Sequence, residues 1–353
     1  MTHHMVLHSI LLHSIVRWLD FVGMIVLVGG IVFRYLVFQP GLTASDLAKE
    51  EMDSLGKKTE RYNRAVIAIS FLLLIMTLLV DFVLRSQMIS KRPLFELPSI
   101  FYVILFKTHF GWVWMIKFIL LVSLGMIGWQ KRPLRGISLG LSGLFCLTYT
   151  LSGHAANRSD FSPDVLADWF HLLAVSAWIG GLIQMRLLMP RLLISLNDET
   201  AHRLLTRMLG RFSTLAGICV GILIPAGVLS VRLRGVTLDS LTETPYGRIL
   251  AVKLLVVLPV LGLGALSRYY ILPNLRSIKP PFLGNLLLSF LRNIGRILRL
   301  DSPGRNKRIK VFLVSSIQSQ FFLFITVEFL LAMGVLLFAA ILTQTPPPHQ
   351  MGP

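Results

Sequence analysis

Two cysteines in 353 residues, Cys146 and Cys219, and no C-x-x-C leave this sequence without a disulfide framework or a thiolate metal motif. Both lie inside apolar runs, where a cysteine behaves as a small buried hydrophobe. Acidic residues are also scarce, with 17 Asp and Glu against 35 Lys and Arg. In a soluble protein that imbalance would suggest nucleic acid. Here the positive charge sits in loops between apolar runs, where it reports topology, so no nucleic-acid partner is expected. Charged residues make up only 15% of the chain while 54% is hydrophobic, and the mean hydropathy is +0.70. No soluble globular domain is that apolar. There is no G-x-x-x-x-G-K-[ST], no H-E-x-x-H and no C-x-x-C-H. ATP-driven pumping by this chain alone, zincin chemistry and covalent haem attachment therefore lack their motifs.

What is present is a series of long apolar runs, at 9–37, 63–85, 109–129, 136–153, 165–189, 212–233, 247–271 and 317–342. Unbroken runs of this length are helices and not barrel strands, which would be shorter and alternating. The fold class is all-α, a polytopic membrane protein of about eight spans with membrane lipid as its surroundings. The first run lacks a basic n-region and a small-residue cleavage site and reads as an uncleaved anchor. Loops 38–62, 130–135, 190–211 and 273–316 hold 20 Lys and Arg, against 5 in the segments on the opposite side. The asymmetry predicts both termini on the outer side of the membrane. Within the basic cytoplasmic loop 273–316, "NLLLSFLRNIGRILRL" has apolar residues every three to four positions, with Arg292, Arg296 and Arg299 on the other side. It reads as an amphipathic helix lying on the anionic leaflet.

The chain repeats itself. "THFGWVWMIK" (108–117) and "TPYGRILAVK" (244–253) share T-x-[FY]-G-x5-K. "WLDFVGMIVLVGG" (18–30) matches "WFHLLAVSAWIGG" (169–181), and "RYNRAVIAISFLLLIMT" parallels "RFSTLAGICVGILIPAG". Three blocks in order predict two four-helix halves, 1–152 and 153–353, inserted the same way. The pairing puts Asp20 of the first half where the second has His171.

Eight of the nine histidines fall on the outer side or in the outer half of a span on this topology; only His202 faces the cytoplasm. Imidazole is the commonest metal ligand and also ligates haem. His171 is intramembrane, where a polar group without a role is costly. It lies ~9 Å inside its helix. His154 precedes it across a short link, and His109 opens the third span at the same surface. These three are the candidate metal ligands. His8, His13, Asp160 and Asp168 would form a water-accessible outer mouth that attracts cations. Asp20, Lys117, Lys253 and Glu328 are the other intramembrane ionisable residues expected along a pathway, with Arg17 one turn from Asp20. Met24, Met185 and Met189 read as packing, although thioethers suit Cu(I).

"FHLLAVSAWIGGL", "TPYGRILAVKLLVVLPVLGLGALSRYYILP" and "VEFLLAMGVLLFAAILTQTPPP" resemble the copper resistance D family of bacterial inner-membrane proteins, most closely over about 150–346. The shared motifs are H-L-x-A-x-x-x-W-x-G-G, Y-G-R-x-L-x-x-K and a Glu in the last span before L-T-x-x-P-P. They carry His171, Trp178, Gly180, Gly181, Tyr246, Gly247, Lys253 and Glu328. The resemblance implies copper passage across the inner membrane, described as uptake. It also implies a separate periplasmic copper-carrier protein, because no fused copper-binding domain is present. Where the family has an asparagine after "GAL", this chain has Ser267. A second likeness, of the histidine–tryptophan helix to the HemJ-type protoporphyrinogen oxidases, implies a different class: a redox protein binding haem b through His171 and another histidine. A third reading is a non-catalytic subunit that anchors a partner in the membrane.

Overall fold

The structure, a computed structural model, describes residues 2–43, 49–91, 94–130, 134–152, 162–276 and 316–345. His154, Asp160 and the predicted amphipathic helix lie outside the described residues, as does the side chain of His8. The chain begins with α1 (Thr2–Val32), which runs through a π turn (Phe33–Phe38) into α2 (Gln39–Thr43). α3 (Lys49–Ser90) follows, then a 3-10 turn (Leu94–Ile100), α4 (Phe101–Lys107), α5 (His109–Trp129) and α6 (Arg135–Leu151). After α7 (Pro163–Leu193) and α8 (Asp198–Leu233) come α9 (Ser240–Glu243) and α10 (Pro245–Leu266). A second π turn (Ser267–Ile271) leads to α11 (Leu272–Arg276), and α12 (Ser316–Leu342) is the last element.

This is an all-α multi-pass membrane protein, with seven described helices long and apolar enough to cross a bilayer. The predicted span at 136–153 corresponds to α6, whose 17 residues rise about 26 Å, short of the ~30 Å hydrocarbon core. The main departure from the sequence-based bounds is at α3 and α8, which begin 14 residues before their predicted apolar runs. In α8 the reason is a stripe at Ala201, Leu204, Leu205, Met208, Leu209 and Phe212, all buried. That is helical spacing, so the charged segment has an apolar side to pack. Asn197 starts it by accepting from the Thr200 amide at 2.8 Å.

α1 and α7 form the centre. α1 packs on α3, α7 and α12, and α7 on α1 and α8. They meet at Gly29 and Gly180, the two glycines that the repeat alignment pairs. A Cβ on Gly29 would stand 2.3 Å from the Gly180 Cα, and one on Gly180 would stand 2.4 Å from the Ile25 carbonyl oxygen. Nothing larger than glycine permits that crossing. The paired tryptophans reach across it. Trp18 of α1 donates its indole N–H to the Met333 carbonyl of α12 at 3.2 Å, and Trp169 of α7 donates to the Gly143 carbonyl of α6 at 2.9 Å.

The T-x-[FY]-G block has a local explanation. Thr108 and Thr244 cap α5 and α10 by accepting from the Gly111 and Gly247 amides, at 3.1 and 3.0 Å. The glycines let the preceding short helix close in: a Cβ would lie 2.2 Å from the Ile104 oxygen and 1.9 Å from the Ser240 oxygen. Met24, Met185 and Met189 are fully buried in the two apolar cores, as packing residues are. Leu72 and Met76 of α3 and Leu255 and Leu258 of α10 are exposed on the surface that a bilayer would cover.

Candidate functional site

Two polar clusters are set into the apolar bundle. The first surrounds Asp20, buried in α1. Lys117 of α5 donates to its carboxylate at 2.9 Å, Thr77 of α3 at 3.1 Å and Tyr149 of α6 at 2.9 Å. Arg17, one turn away, stands at 3.7 Å. The Lys117 ammonium also lies 3.7 Å from the centre of the Tyr149 ring, and the Arg17 guanidinium 5.1 Å from that of Phe21. Four helices thus converge on one carboxylate whose acceptor sites are filled. Nearby, Asp81 holds Arg85 at 3.2 Å, and Arg85 donates to the Ser152 carbonyl. The sequence placed Asp20 and Lys117 separately along a pathway; the structure brings them together as an ion pair. Thr77 and Tyr149 were not singled out beforehand, although both are hydroxyl residues within apolar runs.

The second cluster lies in α7, α8 and α10. Asp168, on the turn of α7 above His171, accepts from Ser230 at 2.9 Å and from Arg234, which also donates to the Tyr246 hydroxyl at 3.3 Å. Burial works against the charge on Arg234, which lies just beyond α8. The Asp168 carboxylate, with Tyr246, outweighs it and holds the guanidinium above its ordinary value. Below this group the His171 ring lies against the Leu223 carbonyl, and its Nδ1 is buried with no hydrogen-bond partner among the described residues. A Cβ on Gly227 would be 4.0 Å from the ring, so that side of the imidazole is lined by a glycine backbone. The Lys253 ammonium is near enough to act on the ring electrostatically, and it is within the same kind of reach of the Arg234 guanidinium and the Asp168 carboxylate. No described residue forms an ion pair or hydrogen bond with Lys253, unlike Lys117.

Glu328 is buried on α12. Its Oε1 lies 3.5 Å from where a Cβ on Gly264 would be, and Trp178 Cζ2 is 3.7 Å from the same point. His109 is exposed at the start of α5, a helix whose neighbours are α3, α4 and α6, whereas His171 faces α8. His13 is half-buried in α1. Among the described residues no group of three or more His, Cys, Asp or Glu side chains is close enough to hold a metal ion. His154 and Asp160 lie outside that search. His202 is accounted for structurally, sharing a 2.8 Å hydrogen bond with the Leu275 carbonyl.

Residues 7–163 match the family model described as Copper resistance protein D-like, N-terminal domain, and residues 206–291 match the one described as Copper resistance protein D. The Copper transport protein CutJ of Bacillus subtilis (strain 168) is 31% identical over 173 residues, which are 45% of this chain and 30% of that protein. The chain thus spans about 30% of the length of the curated relative it matches. No solved structure matches. The reading as a haem b redox protein gains no support from these matches.

Proposed function

The chain belongs to the copper resistance protein D family, and from that premise we propose that it takes up copper ions across a bacterial inner membrane, loading them from the periplasmic side beside His171. Copper is the cargo. The observation that carries the reading is the His171 imidazole: it is held inside a span with Nδ1 buried and without a hydrogen-bond partner among the described residues. A neutral imidazole nitrogen in that state suits either copper oxidation state. His154, from the segment before α7, is the second ligand, and His109 belongs to the outer surface from which copper is gathered. Asp168 with Asp160, His8 and His13 makes the mouth, and a periplasmic copper-carrier protein delivers to it. Both termini are periplasmic, in keeping with the lysine and arginine asymmetry.

The chain is a duplicated four-helix unit in which the second half carries cargo. The Gly29–Gly180 crossing and the reciprocal tryptophan bonds support the duplication. Lys253 acts as a charge gate. It repeats Lys117 but makes no ion pair with the Asp168 carboxylate near it among the described residues and lies beside an imidazole, so a cation at His171 and a charged Lys253 repel one another. Copper loading therefore moves or discharges Lys253, and Glu328 lies beyond it on the route.

The test is copper content in cells that express the chain. Uptake predicts more cell-associated copper than in vector controls, and an unchanged content contradicts the reading. Cysteines placed at Ser159 and Gln350 should react with an impermeant thiol reagent from outside, and one at Asn306 only after permeabilisation. Labelling of Asn306 in sealed cells would overturn the orientation.

A further inference from the structure

Glu328 differs from the other described buried acid, Asp20, in having no donor. Among the described residues none gives it a hydrogen bond or an ion pair. The elements against α12 are α1, α7, α10 and the Ser267–Ile271 turn. Their charged and titratable groups are engaged elsewhere or distant along the helix. On α1, Arg17 and Asp20 belong to the network with α3, α5 and α6. On α7, Arg186 donates to Thr326 at 2.7 Å and His171 lies seven residues before Trp178, about 10 Å along the helix. On α10, Lys253 is eleven residues before Gly264, about 16 Å. In the turn, Arg268 donates to the Ser213 carbonyl at 2.6 Å, and Tyr269 is exposed beneath its guanidinium with Tyr270 beside it. Ser267, one turn after Gly264, keeps a buried hydroxyl with no partner among the described residues. The seam of α7, α10 and α12 thus holds a carboxyl, an indole and a glycine backbone, with the Ser267 hydroxyl on the turn that follows α10.

An ionised carboxylate without a partner in apolar surroundings is strongly disfavoured. Two things relieve it: a bound cation or a proton. A metal ion needs several ligands, and no group of three or more His, Cys, Asp or Glu gathers there among the described residues. A proton needs only the carboxyl itself. We propose that Glu328 is a proton-binding site within the membrane and that copper passage through this chain is coupled to the gain and loss of that proton. The coupling rests on the copper reading above; the proton site does not. Both helices that carry His171 and Lys253 pass Glu328 deeper in the bundle, so the seam is placed to respond to what happens above it. Each cycle forms the Glu328 O–H bond with a proton from one side and breaks it towards the other, with no redox change.

The experiment has two readings on the purified full chain in lipid. Infrared spectra taken from acid to alkaline pH report protonated carboxyls by their C=O stretch. The expected result is a band lost at high pH, absent from Glu328→Gln at every pH and retained, displaced in frequency, in Glu328→Asp. If Glu328→Gln leaves the wild-type carboxyl bands unchanged throughout, the proton site is wrong. In vesicles containing a pH dye, a copper gradient should drive a pH change through the wild-type protein that Glu328→Gln loses. A Glu328→Gln protein that moves copper with an undiminished pH change overturns the coupling. If the infrared band is present but the wild-type protein moves no copper, the copper reading fails and the coupling with it, while the proton site stands.

Discussion

Asp20 and His171 each follow a tryptophan by two residues, Trp18 in one case and Trp169 in the other, on the two helices that cross at the centre of the molecule. Their surroundings differ. Asp20 has Lys117, Thr77 and Tyr149 within hydrogen-bond distance and Arg17 beside it. His171 has Gly227 where the alignment of the repeats puts Thr77, and Lys253 where it puts Lys117, yet neither partners the ring. A buried polar group whose bonding capacity is filled by neighbours has its place explained by the fold. One whose nitrogen is left over has a place the fold does not explain. The first cluster is therefore structural on our account, and the second is where a ligand belongs.

The largest effect is expected from breaking the filled side of that comparison. Asp20→Asn leaves Lys117 and Arg17 buried without their carboxylate, a change of about 3–5 kcal/mol. Thermal unfolding in detergent should show it as a large drop in apparent Tm, accompanied by low membrane abundance. A variant of wild-type stability would mean that the network is not structural. Next comes the crossing itself. Gly180→Ala puts a methyl into the α1 backbone and should cost about 1–3 kcal/mol, whereas Gly227→Ala, with its Cβ 4.0 Å from the nearest ring atom, should be nearly silent in the same assay. Equal effects from the two would remove the close contact from the explanation of the repeat. Gly227→Thr should also change stability little, by under ~1 kcal/mol. It brings to the His171 ring the hydroxyl that Thr77 offers Asp20, so equilibrium dialysis should find copper bound several-fold more weakly. Undiminished binding would separate His171 from the metal.

The helices were legible because long apolar runs have one interpretation in a chain this hydrophobic, and α5 begins and ends where its run predicts, at His109 and Trp129. The starts of α3 and α8 were not, because hydropathy is averaged over a window while the Ala201–Phe212 stripe is carried by spacing. The Asp20–Lys117 pair was missed for another reason. Its partners are 97 residues apart, and a one-turn neighbour, Arg17, offered a local answer. The repeat held the missing signal, since a lysine at the same place in both halves needs a counter-charge in at least one. Arg234 could have been noticed as a cation at the end of an apolar run, with Asp168 available to it.

The most direct measurement of the central claim is copper bound per protein chain, for the wild type and for His171→Ala purified side by side, with membrane abundance recorded for both. The account predicts that the substitution removes the bound copper while abundance stays at the wild-type level, and that His202→Ala, whose ring bonds the Leu275 carbonyl instead, keeps both. Full copper occupancy in His171→Ala would contradict it.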